Sequence, residues 1–209
     1  MWCRLHEICD NITDGTHQTP TYFQDGFIFL SSGNVTSGKI NWETVKYIDE
    51  RQHLEMQKRV SPKVNDILLA KNGTTGVAAL VDKDVIFDIY VSLALLRPLE
   101  GIYPQYLLHF INSPLAKTQF NGRLKGVGVL NLHLNQIREV LIPLPPLSEQ
   151  KAFVAKVEGL LGNVSLLESE NKAQQIEVQR LMGAVLQEDR KSTRLNSSHS
   201  TLSRMPSSA

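Results

Sequence analysis

Cysteine is almost absent from this 209-residue chain: Cys3 and Cys9 are the only two. A disulfide-stapled secreted fold is excluded by that number. A structural zinc site is disfavoured too, because such sites show paired short Cys/His spacings, whereas here His6 alone lies between the two and a fourth ligand would have to be His17. The expectation is two reduced thiols and no metal. Long apolar runs are also missing, since no stretch approaches the roughly 20 residues of a membrane span. The opening Met1-Trp2-Cys3-Arg4-Leu5-His6-Glu7 lacks the basic-then-apolar order of a signal peptide. A cytoplasmic location without membrane contact is expected. Finally, charge of one sign is missing: 22 basic residues face 21 acidic ones, for a net +1. Without the last 19 residues, which hold Lys191, Arg194 and Arg204 and no acid, 19 basic residues face 21 acidic ones. Any surface for a polyanion must therefore come from local clustering, not from bulk charge.

Catalytic signatures are lacking as well. There is no Gly-x-Ser-x-Gly elbow and no Gly-x-Gly cofactor loop after a strand. Lys71-Asn72-Gly73-Thr74-Thr75-Gly76 is rich in glycine but lacks the Gly-Lys-Ser/Thr ending of a phosphate-binding loop. Pro145-Pro146 lacks the preceding Asn or Asp and the following aromatic with which adenine methyltransferases hold a flipped base. Glu170-Asn171-Lys172 copies the end of a nuclease motif, but on a helical stretch with no carboxylate-bearing strand beside it. His17 near Asp14 and Thr16 suits a turn or cap better than catalysis. No catalytic residue and no cofactor are expected.

What is present divides into three parts. Residues 1–147 read as a mixed α/β (α+β) domain. Phe27-Ile28-Phe29-Leu30 is a short strand between Gly26 and the turn Ser31-Ser32-Gly33-Asn34. The polar stretch Asp49–Arg59 suits a short exposed helix with Leu54 as its apolar anchor. Asp66–Ala70, the Lys71–Gly76 turn, and apolar runs over 77–81 and 85–96 read as strand, turn and two strands. Pro104 and Ser113-Pro114 mark two helix starts, and 122–128 is a loop with glycines at 122, 126 and 128 beside Arg123 and Lys125. Ile142-Pro143-Leu144-Pro145-Pro146-Leu147 is an extended, stiff connector, after which Ser148 suits the N-cap of a long helix.

That helix, 148–190, carries an unbroken four-three alternation. Val157, Val164, Asn171, Val178 and Val185 occupy one seam position, and Phe153, Leu160, Leu167, Gln174 and Leu181 the other. A coiled coil fits this better than a helix packed on its own domain. Asn171 and Gln174 weaken the seam while fixing its register. Gly159 and Gly162 each cost about 1 kcal/mol, so a partner helix is needed. The serine-rich remainder, 191–209, has no apolar periodicity and is expected to be disordered. It resembles translated adapter sequence of non-native origin and is set aside.

Several segments, in order, resemble the specificity subunits of type I restriction–modification systems. They are Ile12-Thr13-Asp14-Gly15-Thr16-His17 with Pro20, Phe29 to Val35, Asp66 to Gly76, Val91 to Pro98, Gly126-Val127-Gly128, and Ile142 to Gln150 running into the heptad helix. The resemblance implies a DNA target-recognition domain followed by a coiled-coil helix, without catalysis of its own. It would read one half of a bipartite site on double-stranded DNA. It would also scaffold methyltransferase (modification) subunits and a restriction subunit. A second recognition half, or a second copy of the chain, would pair through the helix. The DNA-contacting candidates are Lys71, Asn72, Thr74 and Thr75 on the turn and Arg123 and Lys125 on the loop. Dimerisation would use Phe153, Val157, Leu160, Val164, Leu167, Asn171, Val178 and Leu181. Two other readings stay open: a truncated recognition end of a fused methyltransferase–endonuclease, and a coiled-coil interaction module that does not bind DNA.

Overall fold

A computed structural model describes residues 1–36, 38–73, 75–122 and 131–201, and of 188–201 the helical backbone alone. Thr74, Arg123, Lys125, the Gly126-Val127-Gly128 segment and the end of the serine-rich tail lie outside the described residues. By contacts the chain separates into Met1–Ala155 and Lys156–Ala209.

The continuous apolar runs have a direct explanation in layering. Strand β5 (Ile67–Ala70) sits inside a four-stranded sheet of order β2-β8-β5-β6, with β2 at Cys9–Asp14, β8 at Leu93–Pro98 and β6 at Ala78–Leu80. Successive side chains of a strand face opposite sides. Here both sides are covered, so neither can be polar. Ile67, Leu69, Ala94 and Leu96 face a layer containing α3 (Pro104–Ile111) and α4 (Pro114–Asn121), through Leu107, Phe110, Ile111, Ala116 and Phe120. Leu68, Ala70, Leu93 and Leu95 face the other way, against Leu30, Phe87 and Ile89. Those last residues belong to a three-stranded sheet of order β4-β3-β7, formed by Lys46–Ile48, Phe27–Leu30 and Phe87–Ile89, in which β3 and β7 run parallel. The result is a helix layer, a sheet and a second sheet.

The expected strand across 85–96 is two strands in different sheets. Both halves are buried, so the apolar run continues through the corner where the chain changes sheet. There Tyr90 donates its N–H to Leu30 O, and Leu93 N–H closes a turn on Tyr90 O at 2.9 Å. The extended backbone around Gly15 pins the corner, with Thr16 donating to Ile89 O at 3.0 Å and accepting from Val91 N at 2.9 Å. A Cβ on Gly15 would lie 1.8 Å from Ile89 O, so only glycine allows this approach.

Helix α2 (Glu50–Gln57) forms where a helix is expected, capped by Asp49 accepting from Gln52 N at 2.9 Å, but its anchor differs. Leu54 is 57% exposed and the inward residue is His53. His53 stacks on Phe27 with centroids 3.8 Å apart, and its Nδ1 lies 2.7 Å from Asp88 Oδ2. Burial pushes the Asp88 carboxyl up, against the lowering effect of His53 and Gln57. A histidine thus replaces the expected leucine because a buried carboxylate waits for it.

The proline-rich connector is more than a spacer. Leu141–Pro143 forms β9, antiparallel to β1 (Trp2–Arg4), and Leu144 N–H reaches Met1 O at 2.8 Å. Pro145 and Pro146, without N–H groups, end the pairing. The long helix α6 spans Leu147–Thr201 and begins one residue before Ser148. Glu149 N and Gln150 N both donate to Pro146 O, so Ser148 lies in the first turn and is not the cap. The helical backbone also continues to Thr201, past the expected boundary at 190, with no glycine or proline between 188 and 201 to stop it. Cys3 and Cys9 are buried and free, and burial raises the Cys9 thiol to about 12, which keeps it protonated and inert.

Candidate nucleic-acid interface

The Lys71–Gly76 segment is the hairpin connection between antiparallel β5 and β6, closed by Ala70 N–H on Val77 O at 2.8 Å and Gly76 N–H on Ala70 O at 3.0 Å. Gly73 and Gly76 take φ of +76° and +87°, the left-handed region where a side chain is strained. Thr75 Oγ1 donates to Lys71 O at 3.2 Å.

This turn meets residues on either side of the second basic segment. Lys71 O accepts from Leu132 N at 3.1 Å, and Asn72 bridges Asn131 across an antiparallel backbone pairing. On the other side, the Phe120 ring reaches to 3.4 Å from the position a Gly76 Cβ would take. The Lys71–Gly76 turn therefore lies beside Phe120, Asn131 and Leu132, described residues on either side of the 122–128 loop in sequence. The side-chain oxygens Asn72 Oδ1 and Asn131 Oδ1 are buried without a hydrogen-bond partner.

The Lys71 side chain points the other way. It is 7% exposed, and its Nζ lies 2.6 Å from Asp14 Oδ2. The same carboxylate meets Arg59 Nη2 at 2.5 Å and His17 Nε2 at 3.3 Å, while Arg59 Nε donates to Asp14 O at 3.0 Å. Burial by itself would raise the Asp14 carboxyl. The hydrogen bonds from Lys71 and Arg59 together outweigh that and hold it below the usual carboxylate range. Asp14 is ionised, and it ties the turn to β2 and to the residues following α2. In the sequence Arg59 is one of several scattered basic residues with no visible partner, and Asp14 and His17 suit a turn or cap. The signal available was the Asp14-Gly15-Thr16-His17 string itself, in which a carboxylate is followed by a glycine that must pack on backbone.

Within the first unit, Val154 is buried and Phe153 sits edge-on to Tyr106 with centroids 5.6 Å apart. Farther along α6, Val157 is half-buried, and Leu160, Val164, Leu167, Asn171, Gln174, Val178, Leu181 and Val185 are exposed. Leu161 and Met182, also exposed, lie one helical position beside Leu160 and Leu181 and widen the apolar stripe.

Residues 4–178 match the family described as Type I restriction modification DNA specificity domain, and this chain belongs to that family. Among its relatives, the EcoBI specificity subunit of Escherichia coli is 26% identical over 157 residues, covering 75% of this chain and 33% of the relative. The MjaVIII specificity subunit of Methanocaldococcus jannaschii is 25% identical over 189 residues, covering 88% of this chain and 44% of the relative. The chain thus spans between a third and under half of these relatives' lengths. The crystal structure of the HsdS subunit from Thermoanaerobacter tengcongensis shares the fold, with a TM-score of 0.61 at 24% identity over 87% of this chain and 47% of that one.

Proposed function

We propose that this domain reads one half of a bipartite sequence on double-stranded DNA, as a recognition module of a type I restriction–modification complex. The observation that carries this reading is the contact of the Lys71–Gly76 turn with Phe120, Asn131 and Leu132, which flank the 122–128 loop in sequence, in a chain of the specificity-domain family. Asn72, Thr74 and Thr75 supply amide and hydroxyl groups suited to base edges, and Arg123 and Lys125 supply cations suited to phosphates. Lys71 holds the turn from behind through Asp14 instead of reaching DNA. The exposed stripe of α6 pairs with the helix of a second recognition half or a second copy. Methyltransferase and restriction subunits assemble on the pair and carry the chemistry. The location is cytoplasmic, where those subunits meet DNA.

Selection from a random duplex library with the 209-residue chain tests the core of this proposal. Recovered sequences are expected to share one block of specified base pairs, repeated at a fixed spacing where two copies of the chain pair through α6. Asn72→Ala or Thr75→Ala is expected to relax preference at one or two of those pairs, at a cost of ~1–3 kcal/mol on the selected site. A recovered pool indistinguishable from the input refutes sequence reading.

A further inference from the structure

Asp14 brings one negative charge to a point where Lys71 and Arg59 bring two positive ones. Burial decides where the surplus appears, because the Lys71 side chain is 7% exposed and that of Arg59 is 47% exposed. Arg59 commits Nε and one Nη2 hydrogen to Asp14, which fixes the plane of the guanidinium, and among the described residues the Nη1 hydrogens have no partner. The side chain lines a cavity of about 380 Å³, together with His17, Gln18, Thr19, Gln52 and Glu55. His17 Nε2 stands 3.4 Å from Arg59 Nη2, so the two present a joint edge.

We infer that this cleft between the 16–20 segment and α2 is a binding site for a backbone phosphodiester of DNA, with Arg59 as its principal donor and Asp14 as the residue that positions it. Concavity, a pre-oriented cation and neighbouring amide and hydroxyl groups suit an oxyanion projecting from a ridge. Continuity supplies the identity of the ligand, since the carboxylate that orients Arg59 also holds the first residue of the turn proposed to read bases. The inference rests on the DNA-recognition reading. Glu55, the carboxylate among the lining residues, opposes an anion and gives the site a built-in test.

The experiment measures binding of the 209-residue chain to two labelled duplexes of about 30 base pairs, one of random sequence and one carrying the selected site, by fluorescence anisotropy from about 50 to 200 mM salt. Arg59→Ala is expected to raise Kd about fivefold at the low-salt end and to reduce the slope of log Kd against log salt by about one. Arg59→Lys should keep that slope. Glu55→Gln, an exposed change on α2 that leaves the Asp14 cluster intact, is expected to tighten binding about twofold at low salt, with the gain fading as salt rises. Should Arg59→Ala fail to fold, Glu55→Gln decides alone. If the unaltered chain binds no duplex, the recognition reading falls and this site with it. If that chain binds and neither variant changes Kd or slope, the site alone is overturned. A loss confined to the selected sequence, at unchanged slope, overturns the phosphate assignment in favour of a base contact.

Discussion

Replacing Asp14 by Asn removes one charge and almost no volume, so the response isolates the electrostatics of the cluster. In the variant, Lys71 stays 7% exposed and its ammonium, now 2.6 Å from an amide, has no counter-ion. Breaking a buried pair by removing one partner costs about 3–5 kcal/mol, most of it the uncompensated charge left behind. Arg59 adds less, because a side chain 47% exposed can turn to water, which makes its share that of a surface pair, below ~1 kcal/mol. The expected loss is about 3–6 kcal/mol. With a urea m-value of about 2 kcal/mol/M, the unfolding midpoint should fall by about 1.5–3 M, read from the fluorescence of Trp42, which packs edge-on to Phe87. Adding Lys71→Met removes the stranded charge and should restore at least ~2 kcal/mol. The pH dependence has a definite sign. The folded carboxyl lies below its ordinary value, so its contribution is present above about pH 4 and is lost as pH falls through the folded value. The gap between the unaltered chain and Asp14→Asn should therefore narrow in acid. A loss under ~1 kcal/mol at neutral pH, or a double variant no more stable than Asp14→Asn, refutes the reasoning.

Two further outcomes are expected. Asn112 offers its side-chain amide to edge strand β6 like a neighbouring strand, accepting from Ala78 N at 2.9 Å and donating to Ala78 O at 3.0 Å; Asn112→Ala should lower stability by about 2 kcal/mol in urea unfolding, and an unchanged midpoint would count against that bond pair. Leu160→Asp with Leu167→Asp puts two charges into the exposed stripe of α6 and should abolish self-association in sedimentation, whereas an oligomeric state equal to that of the unaltered chain would remove the coiled-coil argument.

The strands that the sequence announced were those whose signal is local. Ile67–Ala70 is apolar because the chain is buried at every position there, and Phe27–Leu30 because Phe29 and Leu30 are buried and Phe27 and Ile28 half-buried; turn residues bound both on the side where they end. Strand β1 and strand β9 are three residues each and exist only because they meet, Trp2 opposite Pro143, so neither leaves a pattern of its own. The run over 85–96 conceals a change of sheet, because both sides of the corner are buried and Ser92, the polar residue that marks it, is isolated, itself buried and accepts from Ser32 N at 3.0 Å. The candidate site divides in the same way. Glycine and hydroxyl residues marked the turn, but the inward course of Lys71 depends on a carboxylate 57 positions earlier, and charge alone made it look exposed. Similarly, His53 sits in the core because of Asp88, 35 positions later.

The ribbon of β1 and β9 has a consequence for modularity. Its pairing brings Pro143 beside Trp2 and Leu144 beside Met1, so the first strand of the unit lies next to the segment that leads into α6, the first turns of which still pack on the same unit through Gln150 and Val154. A domain whose two ends are joined this way behaves as a cassette. Spliced into a longer polypeptide between two neighbouring backbone positions, it would fold without pulling its host apart, and it could be lifted out again leaving only a short gap to close.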